Sequence, residues 1–273
     1  MPEILNDLSE RALIKAIEKN MYALTPLDHN WPQIEIYKGG NVSWCLTDVA
    51  FPTCNPIIHV NLRPEEVDDL LENIIAKARS RKVNLHCWVT QDTKPVNLAE
   101  YLTTHGFTRV GEPAGMAIDL NEIDEDAHTP VGFRIVEASD DATIKTWCQV
   151  TCAGFGIPEI AVLSVLEWIT MDIKMKQPIK LYLGLLDGKP VASMYYLGEG
   201  VAGIYFVATL SEARNQGIGH AITQKPLLDA RALGYRVGIL QASDMGKPVY
   251  LRLGFKEYSR IGSYSWIYQP DKT

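Results

Sequence analysis

Residues 201–220 constrain this chain most, because an apolar run there gives way to a short polar connection and then to a pair of glycines. The run 202–208 has the length and composition of a strand. Beyond the glycines, Ile218, Ala221, Ile222, Leu228 and Ala232 recur at near-helical spacing, so the segment predicts strand, loop, helix. Gly217 and Gly219 then fall in the first helical turn, where each glycine costs about 1 kcal/mol relative to alanine. Two explanations are open. Backbone without Cβ lets a ligand approach a helix start, whose free N–H groups and positive dipole end suit a phosphate. Alternatively, the glycines relieve crowding at a tight helix entry. A dinucleotide fingerprint would need a third glycine where Ile222 stands, and the Gly-Lys-Ser/Thr of a P-loop is absent.

Taken further, Arg214-Asn215-Gln216-Gly217-Ile218-Gly219 resembles the Arg-x-x-Gly-x-Gly/Ala acetyl-CoA motif of the GNAT superfamily of N-acetyltransferases. Val207-Ala208-Thr209 is similar to the edge of that family's fourth strand, and Tyr250-Leu251-Arg252-Leu253-Gly254-Phe255 resembles its closing Tyr-x-x-x-Gly-Phe signature. The order of elements across the C-terminal half agrees: strand, two helices, three-strand meander, glycine-opened helix, strand, helix, two strands.

The length of 273 residues suits two domains. The acidic, apolar-poor segment 121–130, closed by Pro130, is the best linker candidate and predicts domains at 1–125 and 131–273. In the first half, 3–20 reads as an amphipathic helix, 33–62 as three short strands, and Arg63-Pro64-Glu65-Glu66 as the start of a helix. A strand at 83–89, a helix at 96–104 and one or two strands in 107–120 follow. Leu102-Thr103-Thr104-His105-Gly106-Phe107 aligns with 250–255, which suggests an internal repeat. The first copy has glutamates where the second has glycines, and Leu102 where the second has Tyr250. The expected fold is therefore α/β (α+β), with two acyl-CoA N-acyltransferase-like domains, each a mixed, mostly antiparallel sheet flanked by helices. The N-terminal copy is degenerate and without a cofactor motif.

The resemblance implies that acetyl-CoA is the co-substrate. Backbone from Phe206, Val207, Ala208 and Thr209 would receive its pantetheine arm, and Arg214, Asn215, Gln216, Gly217, Ile218, Gly219 and His220 its pyrophosphate. Ser243 would either contact the arm or cap the next helix. Tyr250 would protonate the leaving thiolate, its simpler role being to pack beside Leu251 and Leu253. His220 fits a cofactor contact or an exposed helix position. No carboxylate stands on the fourth strand, so a general base would be water, Glu159 or Glu199. Pro226 is expected to kink the cradle helix.

The expected activity is direct transfer of acetyl to a primary amine of a small molecule. Alternatives are a non-catalytic acyl-CoA sensor, or an acyltransferase using longer acyl-CoA or a protein N-terminus. A net charge of -7 argues against nonspecific nucleic-acid binding. No apolar run is long enough to span a bilayer, and the acidic N-terminus lacks signal-peptide features, so a cytoplasmic location is the default. The five cysteines form no Cys-x-x-Cys, and Cys148 and Cys152 are expected as core thiols with no metal bound.

Overall fold

The structure, a computed structural model, describes residues 3–25, 27, 34–125, 129–157, 159, 162–174, 178–198 and 200–270. The first helix, α1 (Glu10–Tyr22), starts later than the apolar spacing from Ile4 suggests. Ser9 stops it from reaching further back, because its carbonyl accepts from Leu13 N at 3.0 Å and its hydroxyl from Ala12 N at 3.4 Å. Leu5 N instead donates to the Gly200 carbonyl.

The remaining elements follow the expected order with boundaries moved by a few residues. They are β1 (Glu35–Lys38), β2 (Ser43–Leu46), β3 (Pro56–Ile58), α2 (Pro64–Arg81), β4 (Leu85–Val89), α3 (Leu98–Thr104), β5 (Thr108–Gly111) and β6 (Ala114–Asp119). The second half supplies β7 (Phe133–Glu137), α4 (Asp141–Phe155), α5 (Val162–Lys174), β8 (Ile179–Leu186), β9 (Lys189–Gly198) and β10 (Ala202–Thr209). It closes with α6 (Ile218–Ala232), β11 (Val237–Ala242), α7 (Lys247–Arg252), β12 (Lys256–Arg260) and β13 (Gly262–Trp266). The sequence also predicts a helical stretch over 158–175, whose start at Pro158 lies outside the described residues. Pro226 is buried inside α6, which is continuous from Ile218 to Ala232.

Two sheets result, and the strands do not divide between them at the acidic segment. One has six strands in the order β1-β2-β3-β4-β13-β5, the other seven in the order β12-β6-β11-β10-β9-β8-β7. The compact units are accordingly 1–21 with 115–258, and 22–114 with 259–273. This corrects the division at 1–125 and 131–273. Hydrogen bonding of β6 and β13, not linker composition, decides which unit each strand joins.

In the six-stranded unit, Val67, Leu71, Ile74 and Ala78 of α2 pack on Trp44, Ile57, Leu85 and Phe107. In the seven-stranded unit, Trp147 of α4, Met194 and Tyr195 of β9, Ile204 of β10, Ile222 and Leu227 of α6 and Ile239 of β11 are almost wholly buried. Each such apolar side chain contributes roughly 1.5–3 kcal/mol. Cys148 and Cys152 are buried in α4, and burial raises both thiols.

The repeat signature has one geometry in both places. Phe107 N donates to the Leu102 carbonyl at 2.9 Å, and Phe255 N to the Tyr250 carbonyl at 3.0 Å. The intervening Gly106 and Gly254 have φ of 85° and 98°, a left-handed bend that closes each helix before its strand.

Candidate active site

Parallel pairing of β10 with β11 covers only Ala202 with Gly238, Gly203 with Ile239, and Ile204 with Leu240. From Tyr205 onward that edge of β10 has no strand beside it among the described residues, so the two strands open into a gap. On its other side β10 stays paired with β9, but the register shifts between Tyr205 and Ala208. The extra residue is a β-bulge, and Phe206 within it has φ of 48°, unusual for a bulky residue. The Phe206 ring meets Trp168 of α5 edge-on at 5.4 Å and Phe155 of α4 at 6.1 Å. Ser193 Oγ donates to the Phe206 carbonyl and accepts from Thr151 Oγ1 at 2.9 Å, which fixes the bulge against α4.

The chain leaves β10 at Thr209 and enters α6 through a short 3-10 turn. Arg214 Nε donates to the Thr209 carbonyl at 3.0 Å and ties the loop to the strand end. Asn215 and Gly217, with φ of 61° and 79°, are both left-handed, and such turns gather N–H groups into an anion-binding concavity. Gly217 is the N-cap of α6. No side chain caps this helix, and its first turn holds no acid, so the N–H groups of Ile218, Gly219 and His220 have no partner within the helix.

This geometry decides between the two explanations of the glycines. Among the described residues, a Cβ on Gly219 would meet only Thr209 Oγ1, at 3.9 Å, and one on Gly217 only Pro130 Cγ, at 3.8 Å. Crowding by the described residues therefore explains neither. Gly217 is required by its backbone angle, and the described residues leave open space beside Gly219. At the corresponding start of α2, Glu66 accepts from Arg63 N at 2.8 Å and from its guanidinium at 2.9 Å, so the glutamate itself caps the helix. The emptied repeat thus fills its own anion position with a carboxylate.

Across the gap, β11 leads to α7, which carries Tyr250. Tyr250 is 9% exposed, and its ring is edge-on to Phe255 at 6.0 Å. Burial pushes the phenol well above its ordinary range, so it keeps its proton at neutral pH. Ser243 is exposed, and its Oγ accepts from Gly246 N at 3.2 Å in the turn before α7, whose N-cap is Gly246 and which no side chain caps. His220 is half-buried; burial and then Arg252 lower its pKa, which holds the imidazole neutral. Glu159 is exposed, and Glu199 lies outside the described residues. Sequence spacing missed Asn20 of α1, Phe155, Trp168 and Gln241, all near the open edge of β10. The one local signal was Gly203, since glycine inside a central strand marks a close approach by another group.

The open edge of β10 thus runs into an uncapped helix start, an arrangement of free backbone groups suited to an extended, anionic ligand. Residues 162–268 match the model of the acetyltransferase (GNAT) domain family. A GCN5-related N-acetyltransferase from Kribbella flavida is 18% identical, with 97% of this chain and 98% of that one covered at a TM-score of 0.68. A functionally unknown conserved protein from Staphylococcus epidermidis is 17% identical, with 90% and 96% covered and a TM-score of 0.65. A tandem GNAT protein from the clavulanic acid biosynthesis pathway is 16% identical, with 100% and 99% covered and a TM-score of 0.60. No curated protein matches the sequence. At these identities the likeness is one of fold, and it extends over both units.

Proposed function

We propose that the chain transfers an acetyl group from acetyl-CoA directly to a primary amine of a small molecule. The observation that carries this reading is the start of α6, free of acids and side-chain caps, at the end of the unpaired edge of β10. The N–H groups from Asn215 to His220 and the Arg214 side chain would hold the pyrophosphate. The edge from Phe206 to Thr209 would take the amide-bearing arm as an added strand takes its neighbour. The arm then lies in the gap, with the thioester directed toward its closed end at Ile204 and Leu240.

The neutral amine attacks the thioester carbon, the new C–N bond forms and the C–S bond breaks. The sulfur leaves as thiolate and takes a proton, and the nitrogen loses one, giving amide and free thiol. Tyr250 is the proton donor, since its raised pKa keeps the phenol protonated and makes it an acid toward a thiolate. The reading is tested by acetyl-CoA-dependent thiol release on addition of amines. Release above the rate in water supports it. Binding of acetyl-CoA without release across a broad panel of amines would replace it with a sensor.

A further inference from the structure

Aromatic rings from α4, α5 and β9 gather over the bulge of β10, and the transfer step above uses none of them. Tyr205 and Phe206 are consecutive, yet both rings stand edge-on to Tyr195 of β9, at 6.4 and 6.1 Å. Regular alternation would send them to opposite faces, so the bulge brings two successive side chains to one. Tyr195 is 1% exposed and stacks with Trp168 at 5.9 Å, which makes it the floor of the group. The rim is open. Phe155, in ring contact with Phe206, is 52% exposed, and Trp168 and Phe206 are half-buried.

The end of α4 lies against the open-edged part of β10, since a Cβ at Gly154 would stand 2.5 Å from Ala208 Cβ. The exposed rim is therefore beside the segment that would hold the arm. A single exposed ring is ordinary, but Phe155 and Trp168 are joined through Phe206 into one apolar patch, which an incoming group would cover. Charge is missing around it. No charged residue stands on β10, on β11 or in 146–157, and the charged one among the described side chains of α5, Glu167, is exposed. A second ammonium on the acceptor would lose water here with no carboxylate to meet, whereas an apolar group gains by leaving water.

We propose that Phe155, Trp168 and Phe206 form the wall of the acceptor subsite and that the acceptor is a primary monoamine carrying an aromatic group. This rests on the acetyl-transfer reading of the gap. The acceptor's ring lies against the wall, and its amine reaches the thioester beside the bulge. The aromatic faces also tolerate the single ammonium before it gives up its proton.

Phenethylamine, ethylamine and butane-1,4-diamine serve as acceptors in the thiol-release assay with the full chain. Wild-type kcat/KM is expected to be at least about ten-fold higher for phenethylamine than for either of the others. Phe155→Ala and Trp168→Ala should each lower the ratio of phenethylamine to ethylamine about five-fold, through KM rather than kcat. Comparing ratios between enzymes cancels the different basicities of the acceptors. The acetyl-CoA Kd, measured by calorimetry, is expected to stay constant and reports that each variant is folded. Phe155 is more than half exposed, so Phe155→Ala decides the case if Trp168→Ala loses acetyl-CoA binding. An unchanged ratio in either folded variant overturns the assignment. So does a wild-type chain that binds acetyl-CoA and shows no preference for phenethylamine, or transfers to none of the three. A chain that binds no acetyl-CoA removes the underlying reading as well, and calorimetry separates that failure from the others.

Discussion

Gly219 is where the physical argument is sharpest, because protein packing leaves it room for a methyl group. Gly219→Ala is expected to leave stability unchanged or raise it by about 0.5–1 kcal/mol through helix propensity. The same change should weaken acetyl-CoA binding at least about ten-fold, a loss of roughly 1.4 kcal/mol or more. Thermal unfolding and calorimetry on one sample measure both. Tyr250→Phe should lower kcat about 100-fold while acetyl-CoA affinity stays within about two-fold, as for loss of a group used only in the transition state. Burial raises the Tyr250 pKa, so loss of its proton should impose no alkaline limb on kcat below about pH 10, the ordinary phenol value. At this scale the sequence was informative where neighbours along the chain make the feature. The glycine pair, the Tyr-x-x-x-Gly-Phe turn and the glutamates of the emptied copy are all local. Asn20 was not legible, because helical periodicity marks it only as one face of α1. Its partner Tyr205 lies 185 residues away in the sequence.

Among the elements, the pairing of β13 with β4 was the least visible. Both were expected as strands, but alternation of side chains does not name a neighbour. The contact is polar at its centre. His86, 4% exposed, lies opposite Ser265, with Nδ1 3.0 Å from Ser265 Oγ and Nε2 3.2 Å from Ser263 Oγ. Burial lowers the His86 pKa from 6.5 to about 4, so the folded state favours the neutral ring. A depressed folded pKa gives stability that is present above the unfolded value and lost as pH falls through the window from 6.5 to 4. That loss should amount to roughly 3 kcal/mol at pH 4 and below. Urea unfolding at pH 7 and pH 4 checks it: His86→Gln should be destabilised at pH 7 and should lack this part of the acid dependence.

For the whole molecule, the two sheets repeat one plan, with a helix crossing between parallel strands in each: α2 between β3 and β4, α6 between β10 and β11. In each, the strand before the closing helix and the strand after it are separated by one inserted strand. That inserted strand comes from the other half of the sequence: β13 lies between β4 and β5, and β6 between β11 and β12. Two domains were legible from length and from the repeated 102–107 and 250–255 turns. The exchange was not, because nothing in the composition of 107–120 or 255–269 says which sheet receives each strand. A consequence is that residues 131–273 alone lack β6 and α1 and hold β13 with no β4 or β5 to pair with. Expressed by itself, that fragment should aggregate or unfold, as size-exclusion chromatography and circular dichroism would show. A folded monomer would contradict the exchange.

The contrast between the free start of α6 and the Glu66-capped start of α2 makes one claim about the entire chain: it has one acetyl-CoA site. Calorimetric titration of acetyl-CoA into the full-length protein tests this directly. The expected result is saturable binding of one molecule per chain, abolished by Gly219→Val and untouched by Glu66→Gln. Two molecules per chain, no binding, or full binding by Gly219→Val would contradict it.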